Sequence, residues 1–70
     1  MAESVYKVIE LIGTSKDSWE KAAKGAVERA GESLRDLRVA EIVKLDMQLD
    51  EEGKVETYRA KLKVSFKFEG

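Results

Sequence analysis

The side chains that could carry chemistry in this chain are carboxylates, hydroxyls and cationic groups, because the sequence contains no histidine and no cysteine. Without histidine, the serines lack a base to activate them and a zinc site lacks its commonest ligand. Glu10 and Glu41 lie in otherwise apolar segments, where burial would raise the pKa of a carboxyl group. Pairing with a lysine or arginine is the more common outcome. No nucleophile–base pair is apparent, so the sequence predicts that the protein is not an enzyme.

Two runs of like charge are candidate binding sites. The acidic run Asp50-Glu51-Glu52 ends at Gly53 and lacks the alternating ligand spacing of a calcium-binding EF-hand loop, so a solvated hairpin tip is expected. The basic run lies on one strand face without interleaved aromatic residues, in a chain of net charge −1, so nucleic acid is not an expected partner. These cations are expected to be solvated or to pair with acids of a neighbouring subunit, with a coenzyme or phosphate site as an alternative. They are Arg59, Lys61, Lys63 and Lys67.

Two periodicities mark the elements that position these side chains. Residues 5–12 are β-branched and largely apolar, which predicts a strand, and Gly13-Thr14-Ser15 is expected to end it. A helix follows, with Ser15 or Asp17 as its N-cap and Glu20 as the capping-box partner of Asp17. Its apolar residues form one stripe rich in alanine, so the helix is expected to lie close on a sheet. The stripe consists of Trp19, Ala22, Ala23, Ala26, Val27, Ala30 and Leu34.

Two long strands joined by the acidic turn complete the chain. The last strand alternates strictly between apolar and polar residues, which predicts a half-buried antiparallel strand. In the strand before it, residues 37–49, pairing of Leu49 with Lys54 would place Leu45 opposite Tyr58 and Val43 opposite Ala60. The order of elements predicts an α+β fold, a β-α-β-β protomer whose three-stranded antiparallel sheet wraps partly around one helix. One face of residues 37–49 is predicted to hold Val39, Val43, Leu45, Met47 and Leu49, interrupted by Glu41.

The predicted sheet is too large for its single helix to cover. At this length a single domain over residues 1–70 is expected, and it is marginally stable alone because so short a chain buries little surface. Without cysteine, it has no disulfide to compensate. Assembly with copies of itself is therefore predicted. No apolar run is long enough to cross a membrane and the first residues do not resemble a signal peptide, so a soluble cytoplasmic protein without a membrane partner is expected.

Several segments resemble the dodecins, and together they span almost the whole chain. They are residues 5–15, Ala26-Val27-Glu28-Arg29-Ala30, Glu32-Ser33-Leu34-Arg35 and Lys63-Val64-Ser65-Phe66. The resemblance implies a β-α-β-β protomer and a hollow, roughly spherical homododecamer. It also implies a non-catalytic protein that binds and stores flavins (FMN or riboflavin), and some dodecins bind coenzyme A.

Three positions depart from the usual dodecin pattern. Val39 stands where dodecins carry a tryptophan that stacks on the flavin, Asp46 where many carry an arginine, and Arg59 where a glutamine bonds the flavin edge. An aliphatic side chain cannot replace a stacked indole, and Asp46 would repel a flavin phosphate. Flavin binding is therefore expected to be weak or absent. The substituted pattern is similar to the subgroup called calcium dodecin, which implies cation binding and makes calcium a candidate ligand.

Asp46 is the candidate metal ligand within this pattern. Copies of one carboxylate that converge near a threefold axis would offer the oxygen ligands that calcium prefers. The alternatives are a solvated carboxylate and an ion pair between Asp46 and Arg59. The sequence thus predicts a small-ligand or ion-binding and storage protein in a homododecameric shell. The alternative is a purely structural or interaction oligomer without a physiological small ligand.

Overall fold

A computed structural model describes residues 3–68 and confirms the predicted β-α-β-β order. Strand β1 spans Tyr6–Ser15, helix α1 spans Trp19–Ser33, and strands β2 and β3 span Leu37–Leu49 and Val55–Lys67. The strands form one antiparallel sheet in the order β1-β3-β2, so β3 is central. Within this part of the chain, no helix has the length and apolar character needed to cross a bilayer.

The boundary between β1 and α1 differs from the prediction. Gly13-Thr14-Ser15 does not end the strand, because Gly13 pairs with Ala60 and Ser15 with Tyr58. The N-cap is Ser18, whose side chain accepts a hydrogen bond from the Lys21 amide at 3.1 Å. Asp17 instead contacts Lys21 Nζ at 3.1 Å, and Ser15 Oγ accepts from the Asp17 amide at 3.0 Å within the turn. The N-cap therefore lies one residue after Asp17, the later of the two predicted caps, and the helix begins at Trp19.

The core lies where α1 packs on β3, as the alanine-rich stripe predicts. Ala60, Leu62 and Val64 of β3 are buried against Ala22 and Ala23 of α1. This side of the sheet is called the helix face, and the opposite side, which carries Arg59, Lys61, Lys63 and Ser65, is called the outer face. Close approach of the helix depends on Gly13, because a Cβ there would collide with the carbonyl oxygen of Ala22.

The register of β2 against β3 differs from the prediction because β2 contains irregularities. Leu45 lies opposite Ala60 rather than Tyr58. Val43 does not face Ala60 but lies in a β-bulge, since β2 shifts register between Ile42 and Lys44. Such an extra residue exchanges the faces of the side chains that follow it.

The bulge also corrects the predicted composition of the two faces of β2. Before it, Val39 and Glu41 lie opposite Ser65 and Lys63, so both belong to the outer face. After it, Leu45 and Met47 lie opposite Ala60 and Tyr58, so they belong to the helix face. Val39 is therefore not on the same face as Leu45 and Met47.

The helix leaves much of the helix face of β2 uncovered. Ile42, Leu45 and Met47 are 51%, 47% and 44% exposed although they lie on the same side of the sheet as α1. The reason is geometric, because α1 packs on β1 and β3 while β2 forms the far edge of the sheet. An apolar surface of this kind favours association with another chain.

Candidate functional site

Asp46 and Arg59 form an ion pair on the outer face, which is one of the alternatives that the sequence left open. The two residues lie opposite each other on β2 and β3. Arg59 Nε donates to Asp46 Oδ1 at 2.7 Å, and Arg59 Nη2 donates to Asp46 Oδ2 at 3.0 Å. Both oxygens of the carboxylate are thus engaged in a bidentate contact. The hydrogen bonds from Arg59 lower the pKa of Asp46, and the Asp46 carboxylate raises the pKa of Arg59.

The backbone behind this pair is held by the start of the helix. Trp19 Nε1 donates a hydrogen bond to the carbonyl oxygen of Asp46 at 3.0 Å. The indole also meets the ring of Tyr58 edge-on, with centroids 5.1 Å apart and an interplanar angle of 72°. The sequence predicted Trp19 as a packing residue and did not predict its hydrogen bond to the site.

Val39 shares the outer face with Asp46 and Arg59 but is distant from them within one protomer. Val39 lies opposite Ser65, six positions along β3 from Arg59, which corresponds to about 20 Å. Its side chain is 61% exposed. One chain therefore brings together two of the three substituted positions, Asp46 and Arg59. A site that uses all three needs a second copy of the chain.

A shallow depression of about 160 Å³ surrounds the ion pair. Besides Asp46 and Arg59, it is lined by Ile12, Lys44 and Lys61. The sequence did not assign Lys44 or Ile12 to a site, and no sequence signal could place Lys44 beside Lys61 without knowledge of the bulge. The Lys61 ammonium lies 3.8 Å from Glu10, so one cation of the basic run pairs within its own chain.

The remaining acidic candidates have ordinary structural roles in one protomer. Glu10 and Glu41 are both exposed, and Glu10 pairs with Lys61, which agrees with the pairing alternative for this residue. Asp50 closes the hairpin tip, because its Oδ1 accepts hydrogen bonds from the amides of Glu52 and Lys54 at 2.8 and 2.9 Å. Gly53 has φ 81°, as the predicted turn requires.

The fit of a calcium ion to one protomer is poor. Within residues 3–68, no three acidic side chains come close enough together to hold a metal ion. The Asp46 carboxylate is engaged by Arg59, and the charge of Lys44 acts on it as well. Calcium needs six to eight oxygen ligands. Asp46 could meet that need only with ligands from other copies and after release from Arg59.

Comparison with known proteins shows a match to the dodecin family along nearly the whole chain. The family model described as Dodecin matches residues 5–69. Calcium dodecin from Mycobacterium tuberculosis is 59% identical over 64 residues, which cover 91% of this chain and 89% of that protein. Dodecin from Thermus thermophilus is 38% identical over 65 residues, covering 93% of each chain.

Solved structures agree with the sequence comparison. A crystal structure of calcium dodecin from M. tuberculosis, described as calcium-chelating and as having a novel calcium-binding site, superposes with a TM-score of 0.83. Its sequence is 57% identical, and the match covers 94% of this chain and 93% of that one. Dodecin from Streptomyces coelicolor superposes with a TM-score of 0.91 at 34% identity, over 100% of this chain and 99% of that one. The expected resemblance is thereby confirmed, and the chain belongs to the dodecin family.

Proposed function

We propose that this protein is a non-catalytic small-ligand or ion-binding and storage protein that acts as a homododecamer. The observation that carries the proposal is the match to dodecins over nearly the full length of the chain. The relatives are named for the family and, in one case, for calcium. The uncovered apolar residues on the helix face of β2 support assembly, because copies of the chain would remove them from water.

Calcium is the ion that we propose for the assembled protein, with Asp46 as a ligand. The support is the 59% identity to calcium dodecin. Copies of Asp46 and water would together provide the oxygen ligands that a single chain lacks. Arg59 competes with calcium for the same carboxylate oxygens, so the ion has to replace a bidentate contact.

We expect calcium titration of the dialysed protein, followed by calorimetry, to show saturable binding. Asp46→Asn should abolish it, because an amide oxygen is a weaker ligand and carries no charge. Arg59→Gln should tighten it, because the substitution frees both Asp46 oxygens. The two variants thus shift calcium affinity in opposite directions if Asp46 is a ligand.

Asp17→Asn is the matched control for the loss of one carboxylate. The side chain of Asp17 is 67% exposed, and it contacts Lys21 in the first turn of α1. Calcium affinity should be unchanged in this variant. Wild-type binding that survives in Asp46→Asn would show that calcium lies elsewhere, and absence of binding would remove calcium from the proposal.

We also propose that flavin affinity is low because Val39 provides no aromatic surface. Riboflavin fluorescence should be quenched only weakly when the wild-type protein is added. Val39→Trp should raise the riboflavin affinity obtained from the quenching curve about two- to tenfold, since aromatic stacking contributes about 0.5–1.5 kcal/mol beyond buried area. Val39→Leu is the control, because it adds bulk without a stacking ring. Strong quenching of nanomolar riboflavin by the wild type would contradict this part of the proposal.

The second candidate function is a structural shell without a physiological small ligand. The observation that favours it is the engagement of both Asp46 oxygens by Arg59. Elemental analysis and absorption spectra of the purified assembly separate the candidates. A stoichiometric metal or a bound chromophore supports storage, and the absence of both supports the structural shell.

A further inference from the structure

The central strand carries one cation at each of three successive outer-face positions, and their neighbours across the sheet differ. Lys63 lies between Glu10 of β1 and Glu41 of β2, so it has an acid on each side. Arg59 lies between Thr14 and Asp46, so it has one acid. Lys61 lies between Ile12 and Lys44. Of these three cations, only Lys61 lies opposite another cation and opposite no acid.

Like charges directly opposite each other on neighbouring strands are destabilising. The charge of Lys61 is partly compensated by Glu10, whose Oε1 lies 3.8 Å from its Nζ. Within residues 3–68, no carboxylate oxygen lies within the 4.0 Å salt-bridge distance of Lys44. Asp46 is the nearest acid along β2, and Arg59 already neutralises it. The depression therefore has an excess of positive charge at Lys44 and Lys61.

The shape of the depression suits a small charged group beside an apolar one. Its volume of about 160 Å³ is enough for a tetrahedral oxyanion. Arg59 uses two of its N–H groups on Asp46, and a guanidinium has five. Ile12 lines the same depression and is 59% exposed, so it offers an apolar contact.

We propose that this depression binds the oxyanion of a small ligand, a phosphate or carboxylate group, between Lys44 and Lys61. The bound anion relieves the repulsion between the two ammonium groups, and Ile12 contacts the apolar body of the ligand. The site does not require calcium, and it attracts an anion rather than a cation. The inference rests on the proposed small-ligand function and names the chemistry of the ligand, whereas it does not depend on calcium binding.

Calorimetric titration of the assembled protein with inorganic phosphate, and separately with acetate, tests the site at low ionic strength. Saturable binding is expected for at least one of them, and the preferred anion identifies the source of the oxyanion. Lys44→Gln and Lys61→Gln should each weaken binding about tenfold or more, because each removes a charge-assisted hydrogen bond. Phosphate should also raise the unfolding temperature of the wild type more than that of Lys44→Gln.

Lys63→Gln is the matched control, because Lys63 lies on the same strand and face but outside the depression and between two acids. Its effect should be about twofold or less. An equal loss in Lys63→Gln would show a non-specific field, and an absence of saturable binding would show no site; either result overturns the proposal. Asp46→Asn distinguishes the anion proposal from the calcium proposal. It should remove calcium binding, and it should strengthen phosphate binding by freeing the charge of Arg59.

Discussion

Leu45→Lys is expected to convert the proposed dodecamer into monomers or small oligomers at micromolar concentration. Leu45 lies on the helix face of β2 and is 47% exposed beside Ile42 and Met47, which are exposed to a similar extent. Burying an unpaired ammonium group in each copy of an apolar contact costs several kcal/mol per site. Because the side chain is already half-exposed in one protomer, the cost acts mainly on assembly. Native mass spectrometry and light scattering measure the result.

Glu28→Lys is the control for adding a lysine elsewhere. Glu28 has a side chain that is 66% exposed on α1 and only a 4.0 Å contact with Lys24, so its replacement should leave the assembly intact. If Leu45→Lys remains a dodecamer, this part of β2 does not mediate assembly. If the wild type is monomeric at micromolar concentration, the proposal of a homododecameric shell is wrong.

Gly13→Ala is expected to destabilise the fold by about 3 kcal/mol or more. An added Cβ would collide with the carbonyl oxygen of Ala22 and approach its carbonyl carbon and the Cβ of Ala26 to 2.9 Å. Overpacking usually costs about 1–3 kcal/mol, and here the obstacle is helix backbone that cannot rotate away. Chemical denaturation followed by circular dichroism measures the change in the free energy of unfolding.

Gly31→Ala provides the matched comparison for the same added methyl group. A Cβ at Gly31 meets only Leu37 Cδ1 at 3.7 Å, which is an ordinary contact. Because alanine favours helix more than glycine, this variant should gain about 0.5–1 kcal/mol. Equal stability of Gly13→Ala and the wild type would show that α1 does not depend on close approach to β1.

Most of the architecture follows from local patterns in the sequence. The last strand alternates between apolar and polar residues throughout, and the apolar residues of the helix recur at helical spacing throughout. Each pattern therefore predicts one element and one buried face. The structure confirms both, with Ala60, Leu62 and Val64 buried against α1. The predicted end of β1 was wrong because Gly13 was interpreted as a strand breaker. Gly13 in fact lies within the strand, where the close approach of the helix requires a residue without a side chain.

The faces of β2 could not be predicted because alternation across residues 37–49 is broken. Glu41 was read as an interruption of an apolar face, but it marks the true outer face before the bulge at Val43. Nothing local distinguishes a bulge at this position from a regular strand, since the irregularity depends on pairing with β3. The bidentate contact of Asp46 with Arg59 was one predicted alternative, whereas the adjacency of Lys44 and Lys61 appears only once the register is known.

Trp19, which donates a hydrogen bond to the Asp46 carbonyl, is an intrinsic fluorescent probe of the site. The chain contains one tryptophan, and its indole bridges the first helical turn and the strand that carries the ion pair. Emission from this fluorophore therefore comes from a single location in every subunit, immediately behind the depression. Ligand occupancy and helix detachment can thus be followed in the unlabelled protein, without introducing a dye.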